Sequence, residues 1–217
     1  PPAALSSLAQ ETLSRVIDCF PEDVELRLRR AQAFGHTSRW EEAITDYTAV
    51  LSSRPDDEAV LRTRLGICVR LQRWADAVAD CSRLIELRPT EADLLLKRID
   101  INARHRQRWG DVVMDLRRLV ELRPQDVFSS HRLTCTLAWI EDGETYRRHC
   151  REMFAEFGGT TSPWHAQMIS HGCCIHPGAF PDAEDVTRLA EFGVSERPED
   201  AWSRTVGGMV YYRAGKY

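Results

Sequence analysis

The chain has 217 residues, 43% of them apolar and 29% charged, with a net charge of -4 and a pI near 6.0. That is enough apolar material for a sizeable core, and the acidic balance argues against a general affinity for nucleic acid, which needs a basic face. No apolar run approaches the ~20 residues of a membrane span, so a soluble chain with no membrane partner is expected.

In chain order, "LAQETLSRVIDCFP" comes first and places Ala9, Leu13, Val16 and Pro21 in the register of one amphipathic helix closed by proline. Beyond it a period appears. Prolines at 21, 55, 89 and 124 stand 34, 34 and 35 residues apart, and Trp40, Trp74 and Trp109 stand 34 and 35 apart. The stretches "SRWEEAITDYTAVLSSRP", "QRWADAVADCSRLIELRP" and "QRWGDVVMDLRRLVELRP" are one segment written three times. Each period divides into two helical patterns. The helix after Trp carries a stripe (Ala43, Ile44, Tyr47, Val50 and Leu51, then Ala77, Val78, Cys81, Leu84 and Ile85) with the one-, three- and four-residue offsets of a buried helix face. Proline then stops it. The helix before Trp reads "VELRLRRAQAF", "AVLRTRLGICV" and "ADLLLKRIDIN", and no alternating β-branched run competes.

Further on, residues 127–157 keep the spacing in a weaker copy through Leu133, Leu137, Tyr146, Cys150 and Met153, with Gly158-Gly159 where proline stood. A longer copy starts at "TTSPW", where Thr161 or Ser162 suits an N-cap and Pro163 the first turn; its second helix is "DAEDVTRLAEF". In "EDAWSRTVGGMVYYRAGKY", Gly208 takes the small position, Tyr211 the bulky one, Gly215 the turn, and Tyr217 the place of Trp40.

A two-helix unit cannot hide its own apolar face, and stacking several buries a continuous core. The chain resembles the tetratricopeptide repeat family on these marks: the period, Ala31 and Phe34 in the first helix, and Trp40, Ala43, Tyr47 and Pro55 in the turn and second helix. The resemblance covers residues 24–126. Departures are Leu65 and Ile99 at a usually small position, Val112 for the packed alanine, and one inserted residue near Arg106, which together suggest shifted packing in the third unit. The resemblance implies an all-α fold, a right-handed α-solenoid of tandem antiparallel helix hairpins. Its expected organisation is an array over 1–157 (clearest over 21–126, with a half-repeat at 1–20 and a degenerate one at 127–157), continued over 158–217 in the same solenoid. The unfinished last repeat is expected to belong to a larger parent protein. Residues 139–217 resemble, more narrowly, the repeat tails of large bacterial eukaryotic-type serine/threonine kinases. None of the kinase motifs is present, which implies a non-catalytic segment.

Two chemical clusters can be weighed. In "ISHGCCIHPG", His171 and Cys174 stand three apart, and His149 or Cys150 can complete a zinc shell. Against this, the ligands lack paired spacing, Cys173 points roughly opposite Cys174, and Cys174 and Ile175 read as core residues near a helix end, with His171 and His176 partly exposed. No metal and no cofactor is therefore expected. Cys150 next to His149 cannot form a catalytic pair, because sequence neighbours on a helix diverge, and no enzyme activity is expected. The seven cysteines are odd in number, scattered and without C-x-x-C, which suits free thiols in a cytoplasmic setting. Lys97 and Lys216 are the only lysines, so arginine dominates, and Arg30, Arg64 and Arg98 recur at one place while Asp46, Asp80 and Asp115 recur at another. Each Arg is expected to reach the Asp of its own or the next repeat, and the three Trp residues are expected to be packing anchors.

The functional surface implied is the inner face lined by first helices. The register puts there Glu25, Leu28, Gln32, Arg62, Arg70, Asp93, Leu96, Asp100, Arg104, Phe128 and His131, with Gly66 and Cys135. Tetratricopeptide proteins that clamp acidic chaperone tails use lysine and asparagine at set points. Leu28, Gln32 and Thr63 occupy three such points here, so that clamp is absent. The expectation is a protein–protein interaction scaffold for a peptide or partner domain, or a regulatory segment docking on other domains of its parent chain.

Overall fold

The computed structural model describes residues 2–20, 23–177 and 183–215. Expectations placed on Pro21, Gly178, Tyr217 and the side chain of Ala9 lie outside the described residues. Among the described residues the chain is all-α. The helices are α1 (Pro2–Cys19), α2 (Val24–His36), α3 (Trp40–Ser53), α4 (Glu58–Arg70), α5 (Trp74–Leu87), α6 (Ala92–Ile101), α7 (Trp109–Leu122), α8 (Val127–Trp139), α9 (Gly143–Phe157), α10 (Pro163–Cys174), α11 (Ala183–Glu196) and α12 (Ala201–Arg213), with a π turn at Asn102–Arg106. No helix among the described residues is long and apolar enough to cross a membrane.

The backbone divides after Arg106 into two units. In the first, α1 to α6 each pack on the next. In the second, α7 to α12 do the same, and α10 also packs on both α8 and α12. This is the fold class of tandem helix hairpins. The stripes read from the sequence form the cores: Ala43, Ile44, Tyr47, Val50, Leu51, Ala77, Cys81, Leu84 and Ile85 in one unit, and Leu133, Leu137, Tyr146, Cys150 and Met153 in the other, are buried, while Val78, expected on the same stripe, is only half-buried.

Helix starts follow from capping. Asp23, Asp57, Asp126, Asp142 and Asp200 each accept a hydrogen bond from a backbone N–H of the helix they precede, and Ser162 accepts one from His165 ahead of Pro163. The second helices end at arginines, Arg54, Arg88 and Arg123, whose N–H still bonds four residues back before proline closes the ladder.

The hairpin turns share one geometry. Ser38, Gln72 and Glu141 adopt φ of 61°, 59° and 59°, two residues before α3, α5 and α9 begin. In each case the next residue's N–H bonds back across the turn: Arg39 to Phe34 O, Arg73 to Cys68 O and Asp142 to Leu137 O. That is the Schellman closure, here built without glycine. Gln107 has φ 51° at the matching place after the π turn, and Gly215 has φ 69° after α12. The inserted residue near Arg106 is accommodated as that π turn, which lengthens the third period to 35 without disturbing Trp109 at the start of α7.

Arginine ties successive helices as expected, with an addition. Arg30 donates to both Asp46 oxygens at 2.7 Å and to Ser14 Oγ at 3.3 Å. Arg64 donates to Asp80 at 2.5 and 3.1 Å and to Thr48 Oγ1 at 2.9 Å. Arg98 donates to Ser82 Oγ at 2.8 Å. Each first-helix guanidinium thus binds a hydroxyl on the second helix before it, and the first two also grip the aspartate on the helix after it.

The Trp residues occupy like corners. Arg70 covers Trp40 at 5.1 Å, His105 stacks on Trp74 at 3.8 Å, and Trp139 lies 6.3 Å from Trp109, each cover coming from the end of the following first helix or its π turn. One register needs correction. Gly207 and Val210 are the buried small and bulky positions of α12, whereas Gly208 meets nothing within 4 Å and Tyr211 is exposed. Two adjacent glycines leave the pattern ambiguous, and packing against Val194 selects Gly207.

Candidate functional site

In the first unit the first helices stand apart: among the described residues no Cα of α2 comes within 8 Å of α4. The gap is a cleft of about 480 Å³ floored by Tyr47 of α3. Leu28, Gln32 and His36 form one wall, Val60, Thr63 and Ile67 the other, and Trp40 closes one end. Exposed Gly66 on α4 has nothing within 4 Å of its would-be Cβ, so the backbone is bare there. The lining is mainly apolar with a few hydrogen-bonding groups, the usual character of a site that grips an apolar anchor and orients its backbone.

Of the residues expected on the inner face, Leu28 and Gln32 line this cleft, together with Thr63. Exposed Glu25 takes Arg29 at 3.3 Å on its own helix. Arg62 is held by Glu91 in a two-pronged pair at 2.8 and 2.5 Å, so its guanidinium already has a carboxylate. Arg70 is turned onto Trp40. Asp93, Leu96 and Asp100 lie on α6, and exposed Arg104 lies on the π turn. Phe128 and His131 belong to the second unit, where Phe128 is exposed and meets His165 edge-on at 6.4 Å. The contributions of Val60, Ile67, His36 and Trp40 were not anticipated. The signal was available for Val60 and Ile67, which flank Thr63 on the same face of α4.

The second unit brings its first helices together. Small Thr134 on α8 faces Gly172 on α10, where a Cβ would meet Met153 Cε at 3.1 Å and Thr134 Cγ2 at 3.3 Å. This close approach sets His131 against His171, with a shared hydrogen bond of 2.9 Å between Nε2 and Nδ1. Cys135, one turn along α8, places Sγ 3.5 Å from His131 Nε2. Burial and the neighbouring imidazole hold His131 down to about 4, burial lowers His171, and burial pushes the Cys135 thiol up to about 11.

The residues first weighed as a zinc shell go elsewhere. Cys173 and Cys174 are both buried, while Ile175, expected in the core beside Cys174, is half-buried. His149 is buried with Nε2 3.1 Å from Ser130 O, and His176 Nε2 lies 3.0 Å from Ala138 O. His171 keeps company with His131 and Cys135 instead of Cys174. The partners lie 40 and 36 residues away, beyond any local pattern.

Hairpins of this kind define the class of helical-repeat proteins. Residues 3–59 and 28–92 match the family model of the tetratricopeptide repeat. Among solved structures the chain is similar to YrrB, reported as a TPR protein with an unusual peptide-binding site, at 12% identity and a TM-score of 0.53, covering 92% of this chain and 99% of that one. It is also similar to MamA of AMB-1, at 17% identity and a TM-score of 0.50, covering 75% and 88%. At such identities the likeness is one of fold. No curated protein matches the sequence.

Proposed function

We propose that the chain is a protein–protein interaction scaffold that binds a peptide along its first helices, with the α2–α4 cleft as the principal anchor pocket. What carries the reading is the cleft: an apolar hollow with Gln32 and Thr63 facing each other across it, on a fold whose solved relative YrrB is reported to have a peptide-binding site. The absence of a lysine–asparagine pattern at Leu28, Gln32 and Thr63 favours a partner segment with a bulky apolar residue over an acidic tail. Gln32 and Thr63 would bond the peptide's backbone while Leu28, Val60 and Ile67 enclose the side chain. The scaffold does no chemistry, and its seven free cysteines suit a reducing cytoplasm.

The narrower reading, docking on another domain of a bacterial kinase-like parent, uses the same surface and rests on the resemblance of residues 139–217. Selection from a random peptide library tests the main proposal. Selected peptides should carry an apolar anchor and lose roughly tenfold or more in affinity to Leu28→Arg and Thr63→Arg. Peptides that bind both variants as well as the parent would place the interaction elsewhere.

A further inference from the structure

The geometry points to a second, independent site: we propose that His131, Cys135 and His171 bind a divalent cation of the zinc class. His131 and Cys135 stand four apart on α8 and so project from one face, one turn above the other. α10 supplies His171 opposite them. The three candidate ligand atoms lie within 4.8 Å of one another, with 2.9 Å between the imidazole nitrogens and 3.5 Å from Cys135 Sγ to His131 Nε2. Ligands arranged tetrahedrally about zinc, at its usual bond lengths to nitrogen and sulfur, lie about 3.3–3.6 Å apart. The His–His separation has to widen by a few tenths of an ångström, as the hydrogen bond gives way to two metal bonds, with Cys135 Sγ and the His171 donor already within 4.8 Å of each other.

The donor set is imidazole and thiolate, which favours zinc and disfavours magnesium or calcium. Both imidazoles are held neutral by burial, so each offers a lone pair at neutral pH. The Cys135 thiol must lose its proton on binding: the metal–sulfur bond forms as the S–H bond breaks, and the proton leaves to water. Trp202 packs beside the site, its ring centroid 4.8 Å from that of His171. Three protein donors leave the fourth coordination position to water or to an external ligand. Nothing in this site depends on the cleft of the first unit, so the two readings stand or fall separately.

Cobalt titration of the reduced, chelator-stripped protein tests the assignment. Co(II) should produce a thiolate-to-metal charge-transfer band that saturates near about one equivalent per chain and is displaced by Zn(II). Cys135→Ser should abolish the band. His131→Asn and His171→Asn should weaken binding by roughly tenfold or more, and Cys174→Ser should leave it unchanged, circular dichroism reporting that each variant keeps its helices. A wild-type protein that gives no such band, or a band that survives Cys135→Ser, overturns the proposal.

Discussion

The indole of Trp74 lies flat on the imidazole of His105, ring centroids 3.8 Å apart and planes 5° from parallel. His105 sits in the π turn, so the residue that lengthens the third repeat is part of the segment that covers the Trp of the second. Arg70 covers Trp40 in the same way one repeat earlier, by a cation over the ring. The expected cost of His105→Ala is about 1 kcal/mol, the usual worth of an aromatic pair beyond area burial. Urea denaturation of His105→Ala, Trp74→Ala and the double variant checks it. Additive losses would mean the stack contributes nothing of its own.

The Arg64–Asp80 pair should be costly to halve and cheap to replace. Asp80 is 1% exposed, and burial pushes its carboxyl up while Arg64 opposes that shift. Asp80→Ala strands a largely buried guanidinium and should destabilise by about 3 kcal/mol. Replacing both by Leu and Met should recover most of that. Midpoints of denaturation for the two variants decide it.

Left-handed turns without glycine leave stability unused. A non-glycine residue at φ 59° costs about 1–2 kcal/mol, part of which glycine forfeits through its freer unfolded chain. Gln72→Gly should therefore stabilise by about 0.5–1 kcal/mol, while Gln72→Val should destabilise by more than about 1 kcal/mol. Thermal melts of the two should move in opposite directions.

Burial of His131, with the His171 imidazole beside it, makes the metal-free protein sensitive to mild acid. His131 is held at about 4, against about 6.5 in the unfolded chain, so between those values the unfolded state binds the extra proton. Stability is then full above about pH 6.5 and is lost as pH falls toward about 4, by on the order of 3 kcal/mol, about 2 kcal/mol of it by about pH 5. Comparing unfolding free energies at about pH 7 and about pH 5 for the parent and His131→Asn isolates the effect. An equal drop in both would assign it to the carboxylates.

Much of this molecule is legible along the chain. The 34-residue spacing of Trp and Pro, the 3.6-residue stripes, the aspartates at helix starts and the extra residue near Arg106 act over a few residues, through hydrogen-bond ladders, caps and proline's missing donor. Those forces operate wherever the segment finds itself, so the hairpins and the Arg–Asp ties can be read before any coordinates. Other features depend on how far apart two helices come to rest. The left-handed turns escape notice because Ser38, Gln72 and Glu141 are not glycines. Arg62 is taken by Glu91, 29 residues on, and nothing near Arg62 announces it. The separation of α2 from α4 opens a cleft, while the slim contact of α8 with α10 closes His131 onto His171. These are differences of a few ångströms in interhelical distance, set by the summed bulk of side chains from several segments, and such a sum exists only once the helices have packed.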